Sequence, residues 1–129
     1  MSTVSIAIYN EANIAEVTRQ ARQLACTIGF DAVQSYYIAT AASELASNIF
    51  FHAGSGLFSL SVLQERPGLE LLATDQGPGI AEIDKAMQDG YSTAGSLGCG
   101  LPGAQRLMDE LDIESQIGRG TTVRGRKWL

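Results

Sequence analysis

The hydrophobic and polar positions of the first thirty residues predict one strand followed by one helix. Residues 4–8 alternate large apolar side chains with small ones, which is typical of a half-buried strand. Asn10 or Asn13 is suited to cap a helix that runs to about Ile28. Gly29 follows at the position where a left-handed residue ends many helices.

The rest of the chain predicts a second long helix, a hairpin and a second helix–hairpin set. Asp31 is a good N-cap for a helix that reaches about His52, and Gly54 and Gly56 end it. The remaining predicted elements are strands at 57–64 and 69–74, a helix at 101–111, and strands at 113–117 and 121–128. Residues 80–97 lack an apolar stripe and predict a mobile segment, with one short helix around 82–89.

This order of elements indicates an α+β fold. Strands and helices do not alternate strictly, so a doubly wound parallel sheet is disfavoured. We expect a two-layer α/β sandwich, with a mixed sheet covered by helices on one face. The length of 129 residues is enough for one domain and too short for two, so residues 1–129 are expected to form one domain.

The composition and charge of the chain disfavour nucleic-acid and membrane partners. The chain is 45% hydrophobic and 18% charged, which is typical of a globular protein, and its formal net charge is −5. An acidic balance disfavours a nucleic-acid partner. No apolar run approaches the length of a membrane span, which disfavours a membrane partner. Cys26 and Cys99 do not form a metal-type pair and predict free thiols, so we expect a cytoplasmic protein.

Glu44 and Asn48 are the first candidate site residues. They are four residues apart and therefore lie about 40° apart on one face of the second helix, beside an apolar stripe. Two interpretations remain open from the spacing alone. The pair is either a solvated edge of the helix, or a carboxylate and an amide that face a cleft over the sheet.

The second candidate is the turn from Asp75 to Gly79, which has the sequence Asp-Gln-Gly-Pro-Gly and follows an apolar strand. An aspartate after a strand is most often a turn former. Gly77 and Gly79 carry no side chain, so a planar base could approach this backbone closely. An ionised Asp75 could then accept a hydrogen bond from an adenine amino group.

The third candidate is a glycine-rich loop that leads into the helix predicted at 101–111. Its glycines are Gly98, Gly100 and Gly103. Such a loop can turn backbone N–H groups toward phosphates, and the helix N-terminus adds partial positive charge. It lacks the Lys-Ser/Thr of a Walker A loop, and no strand of a βαβ unit precedes it, so a dinucleotide-binding fold fits poorly.

The three motifs, in this order, resemble the N, G1 and G2 boxes of the GHKL ATPase superfamily, which includes histidine-kinase catalytic domains and DNA gyrase B. The run Gly118-Arg-Gly-Thr121 resembles the last turn of that fold, which is called the Bergerat fold. The segments 42–48, 89–93 and 98–110 look closest to the anti-sigma-factor type serine/threonine kinases. Within that branch they resemble the RsbT-type switch kinases of the bacterial stressosome.

The resemblance implies a role for each candidate residue. Asn48 would hold Mg²⁺ against the ATP phosphates, and Glu44 would be the general base for the incoming hydroxyl. Asp75 would bind the adenine amino group, and residues 80–97 would form the ATP lid. The remaining implied ATP contacts are, for the adenine side, Gly77, Gly79 and Thr121, and, for the phosphates, Gly98, Gly100, Leu101 and Gly103.

The resemblance also implies partners. The first hypothesis is a protein serine/threonine kinase that phosphorylates STAS-domain proteins with Mg-ATP and then activates a PP2C-type phosphatase by partner switching. The alternatives are an anti-sigma factor that binds a sigma factor directly, a detached histidine-kinase ATP domain, and a non-catalytic binding module. The sequence departs from the family at the lid, where no Lys or Arg lies between Lys85 and Arg106, and Cys99 lies inside the phosphate loop.

Overall fold

A computed structural model of the chain describes residues 3–79 and 100–129. The predicted lid at 80–97, its short helix, Gly98 and Cys99 lie outside the described residues. The elements in chain order are β1 (Thr3–Ile8), α1 (Glu11–Ile28), α2 (Ala32–Ala53), β2 (Gly56–Leu63), β3 (Gly68–Asp75), α3 (Gly100–Leu107), β4 (Glu110–Gln116) and β5 (Gly120–Trp128).

Local signals determine where the two long helices begin and end. Asn10 caps α1 in a reciprocal capping box: its side chain accepts from the amide of Asn13 at 3.1 Å, and the Asn13 side chain accepts from the Asn10 amide at 3.0 Å. Gly29 ends α1 in the left-handed conformation, with φ of 118°. Asp31 caps α2 by accepting from the amide of Gln34 at 2.8 Å. The sequence predictions for these helix ends are confirmed.

The five strands form one sheet in the order β1-β2-β3-β5-β4, and the helices pack on it as an α+β sandwich. The expected fold class is confirmed, but every strand pair in the described sheet is antiparallel, where a mixed sheet was predicted. The reason is that α1 and α2 form a helical hairpin, which returns the chain to the end of the sheet that it left. Ile8 at the end of β1 therefore pairs with Gly56 at the start of β2. The hairpin β4–β5 then places β5 beside β3.

The core lies between the helices and one face of the sheet. Apolar residues on α1 at a helical spacing, among them Val17, Ala21 and Ala25, face it. Alternate residues of the central strands, such as Phe58 and Leu71, meet them and are fully buried. None of the described helices is long and apolar enough to cross a membrane.

Helix α3 is shorter than the sequence predicted. It ends at Leu107, and Leu111 belongs to β4 rather than to the helix. The helix stops because β5 provides a competing set of partners. The Asp109 amide donates to the Arg126 carbonyl at 2.9 Å, and the Lys127 ammonium donates to the Leu107 carbonyl at 2.8 Å. These contacts join residues far apart in sequence, so local periodicity did not reveal them.

Candidate active site

Helix α2 carries Glu44 and Asn48 in the middle of the helical layer. Both neighbouring helices, α1 and α3, pack on α2, so its central residues are buried on almost every side. Glu44 is 4% exposed, whereas Asn48 is half-buried. The interpretation of Glu44 as a solvated helix edge is therefore wrong, since this carboxyl group lies inside the molecule.

The environment of Glu44 is unusual for a carboxyl group. Burial raises its pKa, and a hydrogen bond from the Gly100 backbone amide opposes that shift in part. Its Oε2 atom is buried and accepts no hydrogen bond in the part of the chain that the structure describes. A buried acceptor without a donor costs free energy, and such groups in native proteins often serve a function. Glu44 is thus positioned to accept a proton at Oε2.

Asp75 lies at the C-terminal end of β3 and organises two backbone segments. Its Oδ1 atom accepts from the Gly77 amide at 2.9 Å and from the Thr121 amide at 3.3 Å. Neither bond uses Oδ2. An aspartate held in this way has a fixed orientation and keeps a second oxygen for another donor, such as an exocyclic amino group.

The turn after Asp75 is interlocked with the β4–β5 turn. The Gly118 amide donates to the Pro78 carbonyl at 2.9 Å. Gly79 has φ of 81°, and a Cβ there would collide with the Gln116 carbonyl. A Cβ at Gly77 would collide with Ala53 at the end of α2. The glycines predicted here are therefore required by close backbone packing, which shapes one wall of the site.

Thr121 is 5% exposed and extends the same wall. Its hydroxyl lies 2.9 Å from the Ser115 hydroxyl, and Ser115 also donates to the Gly120 carbonyl at 3.2 Å. Sequence reasoning gave Ser115 no role and treated Gly120 only as part of a motif. At Gly120 φ is 108°, and a Cβ would collide with the Asp75 carbonyl. The only sequence signal for this contact was the Gly-Arg-Gly turn itself.

The start of α3 brings the predicted phosphate loop next to α2. Gly100 has φ of 58° and presents its amide to Glu44. Leu101 is 5% exposed and its side chain packs in the core, so only its backbone could contact a phosphate. Gly103 is buried in the first turn of the helix. The structure thus brings Gly100 into contact with Glu44, one helical turn from Asn48, while Gly98 lies outside the described residues.

These residues fit a magnesium–nucleotide complex. No group of three or more His, Cys, Asp or Glu side chains within residues 3–79 and 100–129 could hold a metal by itself. Mg²⁺ often binds one or two protein oxygens and takes its other ligands from phosphates and water. The Asn48 side-chain oxygen could supply such a ligand. Within residues 3–79 and 100–129, Glu44 Oε2 has no hydrogen-bond partner and the two described bonds to Asp75 use only Oδ1, so each carboxyl group has an oxygen that could act as an acceptor.

Comparison with known proteins identifies the family of the chain. The model of the histidine kinase-like ATPase domain family matches residues 9–127, so the chain belongs to that family. Serine/threonine-protein kinase RsbT of Bacillus subtilis (strain 168) is 44% identical over 126 residues, which cover 96% of this chain and 95% of the relative. The anti-sigma F factor of Geobacillus kaustophilus (strain HTA426) is 34% identical over 99 residues, which cover 71% of this chain and 68% of the relative. The chain is an RsbT-like serine/threonine kinase of the anti-sigma-factor group.

Solved structures share the fold. The crystal structure of the RsbU and RsbW domains of Rv1364c from Mycobacterium tuberculosis matches all of this chain and 33% of that longer chain, with a TM-score of 0.71 and 19% identity. The mycobacterial sensor histidine kinase MprB matches 99% of both chains, with a TM-score of 0.55 and 17% identity. The predicted GHKL fold is therefore confirmed.

Proposed function

We propose that this kinase uses Mg-ATP to phosphorylate a serine or threonine of a STAS-domain stressosome protein. We propose further that, by partner switching, it then binds and activates a PP2C-type phosphatase. The resemblance of its N, G1 and G2 boxes to RsbT-type switch kinases supports these partners. The observation that carries the transfer reaction is the buried Glu44 carboxyl group with its unpartnered Oε2.

In the proposed reaction, Glu44 acts as the general base. The substrate hydroxyl oxygen attacks the γ-phosphorus of ATP, its proton passes to Glu44 Oε2, and ADP leaves. Burial raises the pKa of Glu44, which makes this carboxylate a better proton acceptor than one in water. Mg²⁺ held by Asn48 would supply charge neutralisation, which phosphoryl transfer needs more than covalent chemistry.

The other residues bind and orient the nucleotide. Asp75, held through Oδ1 by the amides of Gly77 and Thr121, would accept the adenine amino group at Oδ2. The Gly100 amide at the start of α3 would donate to a phosphate oxygen. This amide donates to Glu44 in the present structure, so phosphate binding would exchange one acceptor for another. Backbone donors of Gly98, Leu101 and Gly103 would complete the phosphate contacts.

The test combines labelled ATP with candidate STAS-domain proteins, with and without Mg²⁺. Glu44→Gln keeps the size of the side chain and removes the base, so transfer should fall about 10²–10⁴-fold. The affinity for ATP should stay nearly unchanged, because the glutamine oxygen can still accept from the Gly100 amide as Glu44 does. Glu65→Gln, in the exposed turn between β2 and β3, is the matched control. If Glu44→Gln transfers phosphate to the STAS-domain protein at the wild-type rate, Glu44 is not the general base.

An anti-sigma factor is the second candidate function. The 34% identity to an anti-sigma F factor favours it, because that relative is named for blocking a sigma factor. The two functions differ in the partner that copurifies with the chain. Recovery of STAS-domain proteins and a phosphatase supports the switch kinase, and recovery of a sigma factor alone supports the alternative. The cytoplasmic location and the one-domain organisation of residues 1–129 stay predictions.

A further inference from the structure

Lys127 on β5 is a buried lysine whose ammonium group contacts one end of α3. The residue is 8% exposed, and lysine is rarely buried to this extent. Its Nζ atom donates to the Leu107 carbonyl at 2.8 Å, and Asp109 Oδ1 lies 3.8 Å away. Leu107 is the last residue of α3, where carbonyl groups lack partners within the helix. The ammonium group therefore caps the C-terminal end of α3.

Asp109 adds two further bonds between the same end of α3 and β5. Its amide donates to the Arg126 carbonyl at 2.9 Å, and its Oδ2 atom accepts from the Trp128 amide at 2.8 Å. Strand β5 is an interior strand of the sheet, paired with β3 on one side and β4 on the other. Lys127 and Asp109, which we call the α3 clamp, therefore tie the end of the helix to a part of the sheet that is itself held on both sides.

The opposite end of α3 reaches the candidate active site. Gly100 is the first residue of the helix, and its amide donates to Glu44. Within residues 3–79 and 100–129, this is the only hydrogen bond from the first turn of α3 to another element. The helix has eight residues and is about 10 Å long. The α3 clamp and Glu44 thus lie at the two ends of one short helix.

The packing of α3 leaves its position along its own axis to the hydrogen bonds. Leu101 and Ala104 are buried in the core, but apolar contact is non-directional. Gly103 and Ala104 are also small, so the buried face of α3 has few protruding side chains that could interlock with α2. A slide of about 1 Å would lengthen a hydrogen bond from Gly100 beyond its usual range. The α3 clamp therefore determines where Gly100 lies.

We propose that Lys127 is a positioning residue for phosphoryl transfer, because its hold on Leu107 sets the place at which the Gly100 amide meets a phosphate of ATP. This inference rests on the phosphate contact proposed above for Gly100. Lys127 acts through α3, since it lies at the opposite end of the helix from Glu44. Its loss should weaken the phosphate contacts and leave the adenine end of the site, at Asp75, unchanged.

Isothermal titration calorimetry with Mg-ATP and with adenosine separates these two ends. Lys127→Met keeps the length of the side chain and removes the ammonium group. The dissociation constant of Mg-ATP should rise about tenfold, as expected when a charge-assisted hydrogen bond is misplaced. The affinity for adenosine, which has no phosphate, should equal that of wild type. Lys127→Arg retains a cation with N–H donors and should restore most of the affinity for Mg-ATP.

Arg126→Met is the matched control on the same strand. Neighbouring residues of a strand face opposite sides of the sheet, and the Arg126 guanidinium pairs with Glu70 at 2.8 Å. This variant breaks an ion pair of β5 without touching the side chains of the α3 clamp, so both ligands should bind as they do to wild type. Far-UV circular dichroism of each variant establishes that the fold is retained.

Amide hydrogen exchange provides a second measurement that needs no nucleotide. The Gly100 amide should exchange at least tenfold faster in Lys127→Met than in Arg126→Met, because its bond to Glu44 opens more often. Asp109→Ala, at an exposed position, loosens the same clamp and should give the same pattern if Lys127→Met does not fold.

Three results would overturn the proposal. They are an unchanged affinity for Mg-ATP in a folded Lys127→Met protein, unchanged exchange of its Gly100 amide, and an equal loss of affinity for Mg-ATP and adenosine. The last result would mean that Lys127 supports the fold in general rather than the phosphate end of the site. Failure of the proposed function gives a different result, since a wild-type protein that transfers no phosphate to a STAS-domain protein leaves both measurements unaffected.

Discussion

At Glu44, burial of a carboxyl group costs stability at the same position for which we propose the role of general base. A carboxyl group at the centre of α2 loses most of its hydration, and the one described donor to it is the Gly100 amide. An optimally stable core would place an apolar residue there. A buried carboxyl group with a raised pKa, next to the predicted phosphate loop, is consistent with the proposed role of general base.

The burial of Glu44 makes the free energy of unfolding decrease as the pH rises. The pKa of Glu44 in the folded state lies above its ordinary value of 4.5, so the folded state holds the proton more tightly than the unfolded state does. The stability that this difference provides is complete below pH 4.5 and is lost as pH rises through the folded pKa. Glu44→Gln removes the titration, and it should raise the free energy of unfolding at pH 7 by about 1 kcal/mol.

Urea unfolding of both proteins between about pH 4 and pH 8 measures this effect. The difference between Glu44→Gln and wild type should shrink as the pH falls toward 4.5. Glu65→Gln, at an exposed position, should show no comparable trend. A difference that is constant with pH would mean that Glu44 titrates normally in the folded protein.

The sequence predicted where Glu44 and Asn48 lie on their helix, but not how deeply they are buried. The spacing of Glu44 and Asn48 placed them correctly on one helix face, but did not decide between a solvated edge and a buried site. Burial of Glu44 depends on α3, whose first residue is Gly100, more than fifty positions later in the chain. Spacing along one helix contains no information about such a contact. The resemblance to the GHKL boxes implied roles for Glu44 and for the glycine loop, but it did not give this contact either.

At the scale of elements, two turns from different parts of the sheet hold each other in place. The turn after β3 and the turn between β4 and β5 meet at Gly79, Gly118 and Gly120. Substitution of Gly120 by alanine should destabilise the protein by at least about 3 kcal/mol, because the left-handed backbone and a collision with the Asp75 carbonyl both oppose a side chain.

Gly118→Ala provides the matched control for that substitution. Gly118 also has a positive φ, of 79°, but a Cβ there would meet open space. Its substitution should therefore cost only the conformational penalty, about 1 kcal/mol. Urea midpoints of the two variants make the comparison. Equal losses would show that the close contact between Gly120 and Asp75 does not exist in solution.

Elements with local signals were predicted well, and those defined by distant partners were not. Asn10, Gly29 and Asp31 mark helix ends through bonds to residues within five positions, so the sequence was sufficient there. The end of α3 depends on β5. The antiparallel sheet follows from the helical hairpin α1–α2, whose effect on strand direction was not considered in the mixed-sheet prediction.

At the scale of the whole molecule, the site exists only where three distant parts of the chain meet. The middle of α2, the end of β3 with the β4–β5 turn, and the start of α3 each supply one portion. A nucleotide that contacts all three should bind only the folded protein. Binding at 100 times its dissociation constant then adds about 2.7 kcal/mol to the free energy of unfolding, which corresponds to a rise of roughly 10 °C in the melting temperature.

Asp75→Asn should reduce this thermal shift by about half. The asparagine oxygen can still accept from the amides of Gly77 and Thr121, so the turn should persist. Its amide group would replace Oδ2, however, and would oppose the adenine amino group with a second donor. A tenfold weaker affinity lowers the stabilisation at the same ATP concentration to about 1.4 kcal/mol. Differential scanning fluorimetry with Mg-ATP measures it, and Asp112→Asn on exposed β4 should keep the full shift. If Asp75→Asn also keeps the full shift, the adenine end of the site lies elsewhere.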